Sequence, residues 1–565
     1  LRTATTALAD AWRDGRSWLI TVVGLQLVLA SMPALQVVMV AQVLRALPES
    51  GEVWLPTLVL AVVVGLQFPL GQCATAASQR LALRTRHAYQ MLALEHVSRS
   101  GPKALARPET VAGAQTAHEA ADAVDRLAGD VIRLVGAAVT AVVLSVAVMG
   151  IDPAAGLLIL CALAPTVLAF TRIAKAEEKG WPRIGAAARR AQYASEQLLQ
   201  QRTGTELAAL GSASKVVELA RGRRREQMGV LDALIGVAMR WEAIAGGVTA
   251  CLLTAALLIL LLGQADGAGA AAALTGAISG LHAIRNVGYA AGAIVTAVPK
   301  MRAIDRCRET TVEEQPRVRA HSEELRARRV CVRYPGASAD AVSDATITAE
   351  RGEMIAIVGP NGAGKTSLVN ALIGAVRAEG CVEIDGRDLS TCTSSDRAGF
   401  FGLLTQEFGR YEFTVREVVG LGGPGPVTDE DMARALVGAH ADGLVAALPH
   451  GLDTQLGQQW HGVGLSGGQW QRLALARIHV RGAGIWILDE PTSAIDAETE
   501  EKIFQELRRT AEERITIVVS HRAWTLRAMD RIYVMDGGRI VQEGRYEELV
   551  DVPGRFAEIF AMQTR

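Results

Sequence analysis

Two short segments carry residues whose types and spacing suit phosphate chemistry. Gly359-Pro360-Asn361-Gly362-Ala363-Gly364-Lys365-Thr366 fits GxxxxGK[ST], directly after the apolar run Met354–Val358 and before the helical run Ser367–Ile373. Glycines let such a loop fold its backbone N–H groups inward around phosphates. Lys365 is long enough to reach the β and γ phosphates of a nucleotide, and the Thr366 hydroxyl can ligate Mg2+. The helix that opens at Ser367 turns the positive end of its dipole towards the same anion. Further on, Ile485-Trp486-Ile487-Leu488-Asp489-Glu490 is an apolar strand ending in two carboxylates. That position is the crevice where ligands of parallel sheets bind. Asp489 can hold Mg2+ there, and Glu490 can polarise a water for attack on the γ phosphate. The bland alternatives are a chance glycine turn and a helix cap before Pro491. The strand-before, helix-after setting of the glycine loop weighs against both.

These segments need a rigid support, and the second half of the chain supplies its pattern. Val330–Val332, Met354–Val358, Ile485–Leu488 and Ile515–Val519 are short apolar runs bounded by turns, with helical stretches between them. Such alternation predicts a mainly parallel sheet with helices on its faces. The first half is different. Six long apolar stretches, Trp18–Leu44, Trp54–Ala76, Leu127–Met149, Ala154–Phe170, Trp241–Leu262 and Gly267–Val298, approach or exceed the ~20 residues of a membrane helix. Over the 565 residues, 50% are hydrophobic and only 21% charged, which excludes a disordered chain and an ordinary soluble enzyme. Aromatics are 4%, so the apolar content is Ala, Leu and Val, suited to close helix packing in lipid. A cleaved signal peptide fits the first stretch poorly, since another span follows at once. Pro33, Pro56 and Pro69 sit inside spans, where neighbouring helices can absorb a kink.

Charge gives the orientation. The connections Pro48–Val53, Gly150–Pro153 and Gly263–Asp266 contain no Lys or Arg, whereas residues 77–126 and 171–240 are rich in basic residues, chiefly Arg. The positive-inside rule places these two long connections, the N-terminus and everything after residue 300 in the cytoplasm of a plasma (inner) membrane protein. Both connections are dominated by Ala, Leu, Arg, Glu and Gln, which predicts membrane helices continuing into the cytoplasm. Breaks near Ser100–Pro108 and Gly204–Gly211 predict a short transverse helix at each reversal, near Lys103–Thr110 and Leu207–Lys215; simple turns are the alternative. The expected domains are 1–300 in the membrane, a charged linker over 301–325, and a nucleotide-binding unit over 326–565. With 58 Lys+Arg against 59 Asp+Glu, the net charge of −1 gives no basic surface for nucleic acid. The seven cysteines form neither a disulfide framework nor a CxxC site and read as small buried hydrophobes.

Leu465-Ser466-Gly467-Gly468-Gln469, between the glycine loop and the Asp-Glu pair, resembles the signature of ATP-binding cassette (ABC) proteins, and Trp470–Arg477 extends the likeness. Tyr334 in Val332-Arg333-Tyr334-Pro335 resembles the aromatic that stacks on adenine. Gln406 resembles the Q-loop glutamine that senses Mg2+ and the membrane domain, Ser493–Asp496 the D-loop, and His521 the switch histidine on the γ phosphate. The likeness covers 330–565 by motif and the first half by architecture, as in half-size ABC exporters. It implies a membrane all-α six-helix domain with long cytoplasmic extensions, followed by an α/β P-loop ATPase domain with a helical subdomain. The implied cofactors are ATP and Mg2+. Nucleotide would be held by Tyr334, the loop Gly359–Thr366, Ser367, Gln406, Ser466, Gly468 and Gln469; the metal by Thr366, Gln406 and Asp489; catalysis would fall to Glu490 and His521.

In that family Ser466 and Gly468 contact the γ phosphate held by the opposing cassette. One chain carries one P-loop and one signature, so the resemblance implies a second half-transporter, identical or not, and export by alternating access. An exporter-fold importer, as for an iron chelate, and an ATP-gated channel or regulatory membrane protein are the alternatives; Glu490 speaks against the channel. One departure is the segment Gly457–Gly464, where the family's Gly-Glu-Arg-Gly-like acidic contact is missing. No peptidase domain stands before the first span, so a peptide-trimming exporter is not expected. His282, Arg285 and Asn286 interrupt the sixth span. Either they line the pathway, with Arg285 attracting an anionic substrate, or Arg285 pairs with a neighbour or snorkels towards the cytoplasm. Gln26, Gln36, Gln67 and Gln72 read as inter-helix hydrogen bonds.

Overall fold

The structure, a computed structural model, describes residues 2–46, 53–150, 152–262, 267–308 and 317–560. The expected turns at 48–52 and 263–266, Ile151, and linker residues 309–316 lie outside the described residues. Two compact units emerge: residues 1–97 with 111–310, and residues 98–110 with 311–565.

Long helices build the first unit. They are α1 (Arg2–Ala46), α2 (Trp54–Ser98), α4 (Pro108–Val124), α5 (Leu127–Met149), α6 (Pro153–Cys161), α7 (Leu163–Leu199), α9 (Ala213–Leu262) and α10 (Gly267–Arg308); the short α3 (Pro102–Leu105) and α8 (Gln201–Ala209) lie at the reversals. Five helical stretches among the described residues are long and apolar enough to cross a membrane: Arg2–Ala46, Trp54–Ser98, Pro108–Met149, Pro153–Leu199 and Ala213–Leu260. The expected sixth span lies within α10, which packs on α1, α5, α7 and α9.

Small residues make these packings close. Gly288 and Gly292, one turn apart on α10, receive the ring of Phe170; a Cβ on either would come within 2.5 or 2.6 Å of it. The outward faces carry Leu27, Leu55, Leu58 and Phe68 exposed, which suits lipid as solvent. The sharpest break in α1 falls at Gly15 (φ −151°, ψ 40°), not at Pro33, and a Cβ there would lie 2.7 Å from Leu81 of α2. Glycine therefore permits the close contact.

The transverse helices sit earlier than the sequence suggested. Pro102 occupies the first turn of α3, and Pro108 already opens α4, because proline suits a first turn and disfavours a helical residue before it. At the second reversal α8 ends before Gly211, whose φ of +62° stops the helix, and α9 is under way by Ala213. The cysteines also need a correction. None forms a disulfide, but only Cys307 and Cys392 are buried, while Cys73, Cys161 and Cys251 face outward from apolar helices.

In the second unit β6 (Phe401–Leu404), β7 (Ile485–Asp489), β8 (Ile515–Val519), β3 (Met354–Val358) and β9 (Arg531–Asp536) run parallel, with β10 (Arg539–Gly544) antiparallel on β9. Every residue of β3, β7 and β8 is buried, as their unbroken apolar runs demand of central strands. Val330–Val332 does not join this sheet. It ends β1 (Glu324–Val332), which pairs antiparallel with β2 (Val342–Glu350) and β4 (Ala378–Ile384) in a separate four-stranded sheet completed by β5 (Arg387–Asp388). Alternating burial along β1 and β2 marks a one-sided sheet, a pattern that a search for apolar runs passes over.

Candidate functional site

The glycine loop joins β3 to α11 (Lys365–Leu372). Gly359, Gly362 and Gly364 all take positive φ (153°, 82° and 97°), and a Cβ on Gly364 would run into the carbonyl of Ala341. The loop is therefore possible only with glycine at these places. Lys365 lies almost wholly buried, its Nζ donating to the carbonyls of Gly359 (2.8 Å) and Pro360 (3.0 Å). Burial pulls its pKa down, while the charges of Asp489 and Glu490 oppose that shift. The ammonium is thus a buried cation between loop oxygens and two carboxylates. Lys365→Ala is expected to raise the Kd for ATP about 10- to 100-fold, in line with losing charge-assisted hydrogen bonds, as a nucleotide titration would read.

β7 delivers the two carboxylates. Asp489 is 6% exposed; burial first, then the charge of Glu490, pushes its pKa up to about 6, with Lys365 countering. A buried carboxylate facing another carboxylate is a place where a hard cation fits. Glu490 follows at φ +50°, a left-handed position rare for this residue, with its N–H donating to the Val519 carbonyl of β8 (3.0 Å). The side chain is held from both sides: Gln406 Nε2 lies 3.4 Å from Oε2, and His521 Nε2 3.3 Å from Oε1. Burial first, then the charge of Lys365, lowers the pKa of His521, while the charge of Glu490 opposes that shift. Three residues far apart in sequence thus meet at one carboxylate.

Tyr334 is 39% exposed, its hydroxyl 3.3 Å from Ser367 Oγ, leaving a ring accessible beside the phosphate loop. The signature residues stand apart from this cluster. Ser466 caps the helix Gly467–Arg481 in a reciprocal box with Gln469, whose Oε1 accepts from Ser466 N at 2.8 Å. The Gln469 side chain is thereby engaged in the cap. Among the described residues no hydrogen bond joins Ser466–Gln469 to Gly359–Ser367. Gly468 abuts the Ala494 carbonyl, where a Cβ would come within 2.5 Å.

Two buried side chains to which the sequence motifs assigned no role tie the site together. Gln471 is 1% exposed; its Nε2 donates to the Glu490 carbonyl (2.8 Å) and its Oε1 accepts from Ala494 N (3.0 Å). Glu500 is wholly buried, accepting from Thr492 Oγ1 (2.5 Å) and pairing with Arg522 next to His521. The signal for Glu500 was present. It shares the apolar face of the helix Ala497–Arg509 with Ile503, Phe504 and Leu507, where a lone carboxylate is out of place. In the departing segment, Gly457 (φ +93°) and His461 (φ +58°) flank a single turn. A carboxylate does approach that turn, from Glu412, which accepts from Gln459.

One buried histidine couples the unit's stability to pH. His479 packs edge-on to Trp486 (centroids 4.8 Å apart), and burial lowers its pKa to about 4 from 6.5. The unfolded chain binds the proton first, so this residue removes stability as pH falls from about 6.5 to 4, roughly 3 kcal/mol in all. His479→Gln is expected to flatten the acid limb of the thermal midpoint against pH.

Comparison with known proteins agrees with this geometry. The family described as "ABC transporter" matches residues 342–493. An ATP-dependent lipid A-core flippase of Bordetella avium (strain 197N) is 36% identical over 276 residues, 49% of this chain and 45% of that protein. An uncharacterised ABC transporter ATP-binding protein of Bacillus subtilis (strain 168) is 38% identical over 223 residues, 39% of this chain and 38% of its own. The matched region thus spans less than half of either relative. The structure of a bacterial Atm1-family ABC exporter with ATP bound superposes with a TM-score of 0.81 at 20% identity, covering 97% of this chain and 98% of that one.

Proposed function

We propose that this chain, which carries the ATP-binding domain of ABC transporters and shares the fold of an ABC exporter over 97% of its length, is one half of an ATP-driven exporter. The observation that carries the reading is the meeting of Gln406, His521 and Glu490 beside the glycine loop and Asp489. Lys365 and the loop N–H groups would bind the phosphates, and Tyr334 would stack on the base. Thr366, Gln406 and Asp489 would hold Mg2+, which supplies charge neutralisation on the phosphates. Glu490 would take the proton of the attacking water while His521 steers its carboxylate. Ser466 and Gly468 make no hydrogen bond to the chain's own loop, which accords with their serving the loop of a second chain.

Two chains would then clasp two nucleotides between them. Segment 98–110, which would pass cassette movement to the bundle, belongs to the same compact unit as 311–565. The cytoplasmic placement of the cassette rests on the charge asymmetry of the connections. It gains support from Arg80 over Trp18 (4.8 Å) and Arg172 over Trp241 (5.3 Å), interfacial pairs at the same end of the apolar spans. The flippase relatives make an amphiphile a reasonable cargo. Inside-out vesicles test the reading: ATP-dependent, Glu490-dependent accumulation is expected, whereas passive ATP-gated flux would replace it with a channel.

A further inference from the structure

A cavity of about 460 Å3 opens among the helices of the first unit, within the ~300–1,000 Å3 range of small-molecule sites. Its wall includes Arg126, Arg133, His282, Asn286, Gln26 and Ser279, and no Asp or Glu lines it. Arg285, the cation that stood out in the sequence, does not line it, whereas its neighbours His282 and Asn286 do. The positive wall comes instead from the start of α5, where Arg126 is the N-cap, Asp130 follows one turn on and Arg133 two turns on.

The nearby carboxylates already have partners, one of them Arg133 itself. Asp122 and Asp125 accept from Gln90 and Arg86 of α2, and Asp130 sits 3.5 Å from Arg133 on its own helix. That last pair uses one edge of a guanidinium with five donors. Arginine, amide and imidazole groups inside an apolar bundle are costly unless something polar occupies the space between them. A planar fork of donors matches the oxygens of phosphate or carboxylate two at a time. Amides and hydroxyls around it complete the shell without adding negative charge.

Resting on the exporter reading above, we infer that this cavity binds the anionic group, phosphate or carboxylate, of the transported molecule, with Arg126 and Arg133 as its principal contacts. The anion belongs either to a lipid headgroup or to a soluble organic phosphate, and the test separates the two. Full-length protein is placed in phosphatidylcholine nanodiscs and its ATPase followed on adding phosphatidic acid in one arm and glycerol 3-phosphate in the other. Tetraphenylphosphonium serves as the cationic comparison.

Saturable stimulation of at least threefold is expected in one anionic arm, and that arm names the source. Arg126→Gln with Arg133→Gln should raise the half-saturating concentration tenfold or more, and Arg285→Gln should leave it in place. Should the double variant misfold, each single variant carries the test with at least a threefold shift. Stimulation in neither anionic arm, an unshifted response in the variants, or equal stimulation by the cation overturns the inference. The exporter reading is judged separately, by whether the unstimulated ATPase disappears in Glu490→Gln.

Discussion

Glu490→Gln is expected to keep ATP bound while steady-state hydrolysis falls by about two to four orders of magnitude. Glutamine has nearly the same shape and can still meet His521 and Gln406, which now lie 3.3 and 3.4 Å from the carboxylate oxygens. The backbone bond to Val519 and the buried Gln471 contact are untouched, so the left-handed turn at residue 490 survives. Lys365 and the loop N–H groups that would hold the phosphates, and the Asp489 carboxylate that would hold Mg2+, are unchanged. Only the basicity is lost, and with it the means of taking a proton from water. Nucleotide affinity within a few-fold of wild type, together with collapsed turnover, is therefore the expected pair of results. Wild-type turnover in the variant would assign the base elsewhere.

The parts of this molecule that were legible in sequence are those written in consecutive residues. Met354–Val358 and Ile515–Val519 became buried central strands with unchanged limits, because an unbroken apolar run bounded by turns has few other ways to fold. The glycine loop was legible because its conformation needs glycine at fixed positions. Partnerships across the chain were not. Nothing adjacent to Gln471 announces that it clips the backbone of Glu490, and the apolar face around Glu500 marks that carboxylate without naming Arg522 as its partner. The antiparallel sheet was hidden because a one-sided strand such as β1 spreads its apolar residues among arginines. Arg126 passed unnoticed for a similar reason: a cation at the border of an apolar stretch reads as a flank, and only the packing of α1, α2, α5 and α10 shows a cavity there.

A second large effect is expected at Asp10, far from the nucleotide loop. Its carboxylate is almost wholly buried and accepts from Tyr89 Oη at 2.9 Å and from Arg308 Nη2 at 2.5 Å, with the guanidinium 5.7 Å from the centre of the Tyr89 ring. Burial first, and then the charge of Asp10, drives the pKa of Tyr89 upward, so the phenol stays a donor. Three distant segments meet there: the stretch of α1 before Gly15, the far half of α2, and the last residue of α10. Around them Ala7, Ala93, Ala121 and Ile304 close an apolar shell. Asp10→Ala leaves the buried phenol without its acceptor and the partly buried arginine with only Asp305 (3.3 Å) as counter-charge, which costs about 1–3 kcal/mol. A clear drop in the thermal midpoint in detergent is the expected measurement, with Asp10→Asn falling between the two because it keeps an acceptor for Tyr89. Adding Arg308→Leu to Asp10→Ala should recover part of the loss, since an apolar side chain in that shell no longer needs a counter-charge. An unchanged midpoint in Asp10→Ala would mean that the apolar shell alone holds the end of α10 against α1 and α2. The ion pair would then fix only the angle at which α10 leaves the bundle.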